Sequence, residues 1–346
     1  GFFAILTVIY IFVLFVMIFR IGKALSIIGV ASKVVFKNPQ LLIVPPIMFA
    51  ALIGVTAYWL VIAGYIESAT IPVTLTAEDL SKLPVSSLPI SSNSSYTVRK
   101  DSIAINLMQY YHLFGYFWTA AFLSALGYCT ISGVIAQWYF SAKGDTKKAE
   151  RLSVVRSLLR SIIFHCGSIL FGSLIVAIVQ ILRVLLKQFE KFLNRIGAKK
   201  NPIVKVLVNI GHVILTVLYY LVKFFNKNAY IVMMIHGTSF LTSGARAFFL
   251  VLNNILVVGT VTVMGQIVMF FLQIMITIIG GIFTYFMIWI LDDVLKARFL
   301  IANEIQYSAV PTLAGAFISF CVAGMFVNLY STSIDTILIC YCEDKR

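Results

Sequence analysis

Acidic side chains are scarce in this chain. Asp and Glu together number 13 against 27 Lys and Arg, and charged residues of both signs make up only 12% of the 346 positions. A soluble domain carries about 25%. With 60% of the residues hydrophobic, a single soluble core of this length leaves too much apolar surface uncovered. Cysteine is also sparse. The five are Cys129, Cys166, Cys321, Cys340 and Cys342, with neither a disulfide framework nor zinc spacing among them. The four histidines, His112, His165, His212 and His236, never pair with a second ligand at helical spacing, so no metal site is expected. Hydrolase elbows, P-loops, HExxH and dinucleotide fingerprints are absent. Together these gaps exclude the common enzyme classes and predict no cofactor.

What the chain does have is long oily runs. A spanning helix needs about 20 mostly apolar residues. Such runs lie at 1–19, 44–66, 110–141, 161–186, 206–225, 266–291 and 309–330, with a mixed stretch at 229–246 and a further apolar one at 247–264. The fold class is therefore an all-α polytopic membrane protein, a bundle of about seven transmembrane helices in this fragment. Run 1–19 is too long and apolar to be a signal-peptide core.

Basic residues between runs orient a membrane protein, because cytosolic loops are enriched in Lys and Arg. Segment 20–40 holds Arg20, Lys23, Lys33 and Lys37 without an acid and is placed in the cytosol. Residues 1–66 thus read as two spans joined by a cytosolic basic loop. Residues 67–109 are Ser- and Pro-rich, carry Glu67, Glu78, Asp79 and Asp101, and contain the sequon Asn93-Ser94-Ser95. They read as an outside loop, glycosylated at Asn93. Residues 110–346 form the rest of the transmembrane core, with a basic amphipathic segment at 187–246 and a short cytosolic C-terminus. Two basic stretches conflict with simple alternation. Segments 142–160 and 187–205 are both rich in Lys and Arg, yet one apolar run separates them. Either run 161–186 is re-entrant, or the second stretch is an exception to the rule. The excess of positive charge fits anionic lipid as a partner rather than nucleic acid.

Polar and aromatic side chains inside the runs are the candidate binding residues. Each polar group is costly in hydrocarbon. Gln180 and Gln273 lie deepest, serving either interhelical hydrogen bonds or a substrate hydroxyl. Tyr58-Trp59 and Phe117-Trp118 should lie at similar depth on two spans. Aromatic faces bind a cation that offers no hydrogen-bond donor, and the same four residues fit an interfacial aromatic belt. Ser168 with Gly172, and Gly315 with Ser319, are spaced for close helix packing. Cys340 and Cys342 are read as free thiols, with lipid attachment as the alternative.

Several longer stretches resemble one family. Phe225-Asn226-Lys227-Asn228-Ala229-Tyr230-Ile231 runs on through His236-Gly237-Thr238-Ser239-Phe240 to Ser243, Arg246, Ala247, Phe248 and Phe249. It is similar to the long signature of choline transporter-like proteins. Ala57-Tyr58-Trp59, the stretch His112–Thr130, Gly167–Leu185 and Asp335–Cys340 with Glu343-Asp344 resemble other pieces of that family, in the family's order. Leu241 replaces a cysteine of the signature, and Gly244 is an insertion into it. The resemblance covers the whole chain and implies a fold of about ten spans, of which this chain corresponds to the fourth onward. It implies a transporter of choline, or of a related cationic amino alcohol such as ethanolamine, working by alternating access. The site it points to is Tyr58, Trp59, Phe117 and Trp118 around the cation, with Gln180 or Gln273 on the hydroxyl. The plasma membrane is the expected location, with an organellar membrane, mitochondria included, as the other. The competing expectation is a non-transporting structural subunit held by other membrane subunits.

Overall fold

The computed structural model describes residues 21–68, 103–141, 153–197, 201–299 and 309–345. Eight helices run through them: α1 (Ile21–Lys37), α2 (Val44–Ser68), α3 (Ile103–Phe140), α4 (Ser153–Arg195), α5 (Pro202–His236), α6 (Phe240–Asn253), α7 (Ile255–Phe299) and α8 (Ala309–Asp344). A 3-10 turn, Pro39–Ile43, joins α1 to α2. Six of the helices, α2 to α5, α7 and α8, are long and apolar enough to cross a membrane. The chain is an all-α polytopic integral membrane protein. The run at 1–19 and the sequon at Asn93 lie outside the described residues.

Local chemistry sets the helix ends. At α5 the Asn201 Oδ1 accepts from the Ile203 amide at 2.9 Å, and Pro202 follows at the first helical position, where its missing N–H costs nothing. The same helix stops at Gly237, whose φ of 69° is left-handed and whose amide donates to the Met233 carbonyl at 2.7 Å. The apolar stretch expected as one piece at 247–264 is divided. Asn254 ends α6, donating to Val251, and its carbonyl accepts from Val258 to begin α7. Likewise the basic segment expected at 187–246 is distributed over the end of α4, all of α5 and the first half of α6.

All six spanning helices are longer than the hydrocarbon layer, α4 and α5 among them. At 1.5 Å per residue, the 43 residues of α4 span about 65 Å and the 35 of α5 about 52 Å, against a hydrocarbon thickness of about 30 Å. α4 and α5 run antiparallel, with His212 Nε2 on Glu190 Oε2 at 2.8 Å near the end of α4 and the start of α5. Because α4 is unbroken, run 161–186 is not re-entrant. The basic residues Arg156 and Arg160 sit toward one end of it and Lys187, Lys191 and Arg195 at the other.

Packing is tightest at the end where α8 finishes, the C-terminal face. A core of buried aliphatic residues collects there from α1 (Ala24, Ala31, Val34), α3 (Val134, Ile135), α5 (Ile231, Val232), α6 (Leu250) and α8 (Ile337, Leu338, Ile339). Short α6 turns back along α5, with Phe240 on Tyr230 and Phe248 on Phe225. α7 and α8 form an antiparallel pair in which Gly280 lies on Ser319 and Gly315 on Thr284. The close approach expected of Gly315 and Ser319 is thus found, one helix surface meeting the other without a methyl group between. Cys340 and Cys342 are buried free thiols in this core, which leaves no room for an attached lipid.

Candidate functional site

Above this sealed end, α2, α3, α4 and α5 enclose a cavity of about 260 Å³. Its aromatic wall is Tyr116, Phe117 and Tyr128 from α3 with Tyr219 and Tyr230 from α5. Gln180 of α4 and Asn226 of α5 supply amide groups to the same wall. These rings share a face because Phe117 and Tyr128 on α3, and Tyr219 and Tyr230 on α5, are each 11 residues apart, about three helical turns. Tyr230 is pinned by its hydroxyl, which donates to the Ile169 carbonyl at 3.4 Å. Asn226 donates to the Gly172 carbonyl at 2.6 Å. Gly172 has no side chain because the Tyr230 hydroxyl and Phe240 ring press against it.

A second cavity adjoins the first, between α5, α7 and α8. Tyr128, Lys223 and Lys227 line both. At this boundary Lys227 Nζ lies 2.5 Å from Asp335 Oδ2 of α8, 3.5 Å from the Ser331 hydroxyl and 5.4 Å from the centre of the Tyr128 ring. The two charged side chains are only 18% and 19% exposed. Each stands nine residues before the last residue of its helix, about 13 Å along the axis. Lys223 and Arg183 rest on the Tyr219 ring instead, at 5.8 and 5.0 Å.

The residues singled out from sequence are dispersed around this site. Phe117 and Gln180 are brought together in the first cavity, where the Gln180 Oε1 is buried without a hydrogen-bond partner. Trp59 stands behind that wall: its ring meets Tyr116 at 4.9 Å and stacks on His112 at 5.9 Å, and His112 Nε2 donates to the Trp59 carbonyl at 3.1 Å. Trp59 of α2 thus reaches Tyr116, the residue before Phe117, on α3. Trp118 faces away, donating its indole N–H to the Leu170 carbonyl of α4 at 3.1 Å. Tyr58 is 67% exposed on the outer surface of α2. Gln273 lies in the α7–α8 seam, donating weakly to the Phe320 carbonyl at 3.4 Å. Sequence reasoning missed Tyr116, Tyr128, Lys227 and Asp335. The available signal was a lone Lys between two Asn in a stretch otherwise oily enough to be membrane-embedded.

A second charged cluster closes the C-terminal face. Glu343 of α8 pairs with Arg246 of α6 and lies 3.3 Å from His236 Nε2 of α5. Among the described residues no group of three or more His, Cys, Asp or Glu is arranged to hold a metal.

The sequence profile of the family described as plasma-membrane choline transporter matches residues 1–346. Choline transporter-like protein 2 of Dictyostelium discoideum is 33% identical over 337 residues, 97% of this chain and 48% of that protein. Choline transporter-like protein 1 of Caenorhabditis elegans is 30% identical over 352 residues, 99% and 44% of the two. Choline transporter-like protein 2 of Salmo salar is 31% identical over 344 residues, 94% and 48%. The chain spans about half the length of the curated relatives it matches.

Proposed function

The chain belongs to the plasma-membrane choline transporter family, and from that premise we propose that it moves choline, or a related cationic amino alcohol such as ethanolamine, by alternating access. The observation that carries the reading is the ring-walled cavity of Tyr116, Phe117, Tyr128, Tyr219 and Tyr230. A trimethylammonium group has no N–H, so hydrogen bonds cannot select it. Aromatic faces can, by attraction between the cation and the ring quadrupole. The free carbonyl oxygen of Gln180 is suited to accept from the substrate hydroxyl. The cavity volume, about 260 Å³, is at the small end of ligand pockets, which suits a solute of a few heavy atoms.

Packing supports alternating access. The C-terminal face is sealed by the main core, so the cavity is reached from elsewhere, and delivery requires that seal to part. The Lys/Arg bias of the segment before Pro39 supports a cytosolic side for this face, and the plasma membrane is the location we assign.

Uptake of radiolabelled choline into proteoliposomes tests the reading. We expect saturable uptake, inhibited competitively by tetramethylammonium. Uptake no greater than into protein-free vesicles overturns it and returns the structural-subunit alternative.

A further inference from the structure

We infer that Lys227 is a built-in stand-in for the substrate: its ammonium occupies a cation subsite made by Asp335, Tyr128 and Ser331, and an incoming ammonium compound must displace it. The inference deepens the transport reading and rests on it. The subsite combines a carboxylate at 2.5 Å, a hydroxyl at 3.5 Å and a ring face at 5.4 Å around one ammonium nitrogen. The charge of the carboxylate and the face of the ring attract any ammonium ion, quaternary ones included. The protein has filled this subsite with its own.

Charge makes the displacement necessary. The ionisable Lys and Asp side chains of the two adjoining cavities are Lys223, Lys227 and Asp335, a formal sum of +1. A cation entering beside an intact pair finds the Asp335 carboxylate already neutralised by Lys227, with the exposed Lys223 nearby. If Lys227 swings away on its four-carbon stem, Asp335 becomes a counter-ion for the newcomer. Lys227 lines both cavities, so it already stands at the boundary the substrate would cross. Stability alone explains the pair badly. A buried ion pair barely offsets its own desolvation and is often no better than apolar packing. Lys227 and Asp335 lie within two spanning helices, and ionisable groups in such segments are rare and mark transport paths.

The experiment compares Lys227→Met, Lys227→Arg and Asp335→Asn in the reconstituted protein. Methionine removes the competitor, so the apparent choline KM should fall about five-fold, because affinity is reduced by the fraction of sites already occupied. Arginine holds Asp335 through two hydrogen bonds and should raise KM. Asp335→Asn should raise KM about ten-fold or more, and Lys227→Met added to it should change nothing further. A purely structural pair gives the opposite order, with arginine mild and methionine damaging; that result overturns the inference. Where Lys227→Met unfolds in detergent, tetramethylammonium should restore its thermal transition, and failure to do so counts against the inference. Wild-type protein that takes up no choline sinks the transport reading separately. Displacement is then judged by thermal unfolding alone: tetramethylammonium must stabilise Lys227→Met more than wild type, and equal shifts overturn it.

Discussion

At the residue scale, side chains of similar character separate by what they touch. Gln180 presents an unpartnered buried carbonyl oxygen to the cavity, whereas Gln273 is spent on the α7–α8 seam. One hydrogen bond is worth about 1 kcal/mol net, or roughly five-fold in affinity. Gln180→Leu should therefore raise the choline KM about five-fold while leaving inhibition by tetramethylammonium, which has no hydroxyl, unchanged. Equal losses for both ligands would refute the assignment. Phe117 and Trp118 are neighbours in sequence with opposite duties. Phe117→Ala should weaken choline uptake with little change in melting temperature. Trp118→Ala removes the bond to Leu170 and should cost stability on the order of 2 kcal/mol, read as a lower melting temperature in detergent. Phe117 and Gln180 were legible because a polar or aromatic residue inside an oily run stands out in one dimension. Lys227 was not, because Asn226-Lys227-Asn228 reads as the end of a span. Its justification is a carboxylate 108 positions away on another helix, a pairing that only the fold reveals.

At the scale of elements, hydropathy identified the spanning helices but not their ends. A transmembrane helix continues into the interface for as long as neighbours or water satisfy it, so α5 begins before and ends well after its oily run at 206–225. The division of 247–264 at Asn254 depends on backbone bonds from one residue to both flanking helices, and oily letters continue across it. The α7–α8 pair was better signposted. Gly280 and Gly315 let the helices touch at Ser319 and Thr284, and in lipid such contact replaces the hydrophobic drive that holds soluble helices together. Gly280→Val and Gly315→Val force that seam apart and should each destabilise by about 1–3 kcal/mol in a reversible unfolding assay. Gly259→Ala is the control on the same helix, since nothing lies within 4 Å of the added methyl. It should leave stability unchanged or raise it by up to about 1 kcal/mol. Destabilisation by Gly259→Ala equal to that at Gly280 would mean backbone flexibility, not the seam, sets the outcome.

At the scale of the whole molecule, the apolar seal and the charged latch lie on the same face. α5, α6 and α8 meet there through Glu343, Arg246 and His236, directly beside the buried thiols Cys340 and Cys342. A packed aliphatic core resists gradual deformation and switches between discrete arrangements. Opening this face means separating α6 from α8, and the carboxylate of Glu343 is the one acid among the described residues that binds both α5 and α6 to α8. Neutralising it weakens the closed arrangement without touching the cavity more than two helical turns away. A loss of about 1.4 kcal/mol multiplies the open population about ten-fold. Glu343→Gln should thus raise the rate at which Cys340 and Cys342 react with a membrane-permeant maleimide by about ten-fold, measured by mass spectrometry of the peptide that carries both. Competing choline should alter that rate, because a ligand that binds one arrangement better shifts the population between them. Thiol reactivity that stays at the wild-type level in Glu343→Gln, with or without choline, would show that the face does not open through this latch and that the aliphatic core alone holds it shut.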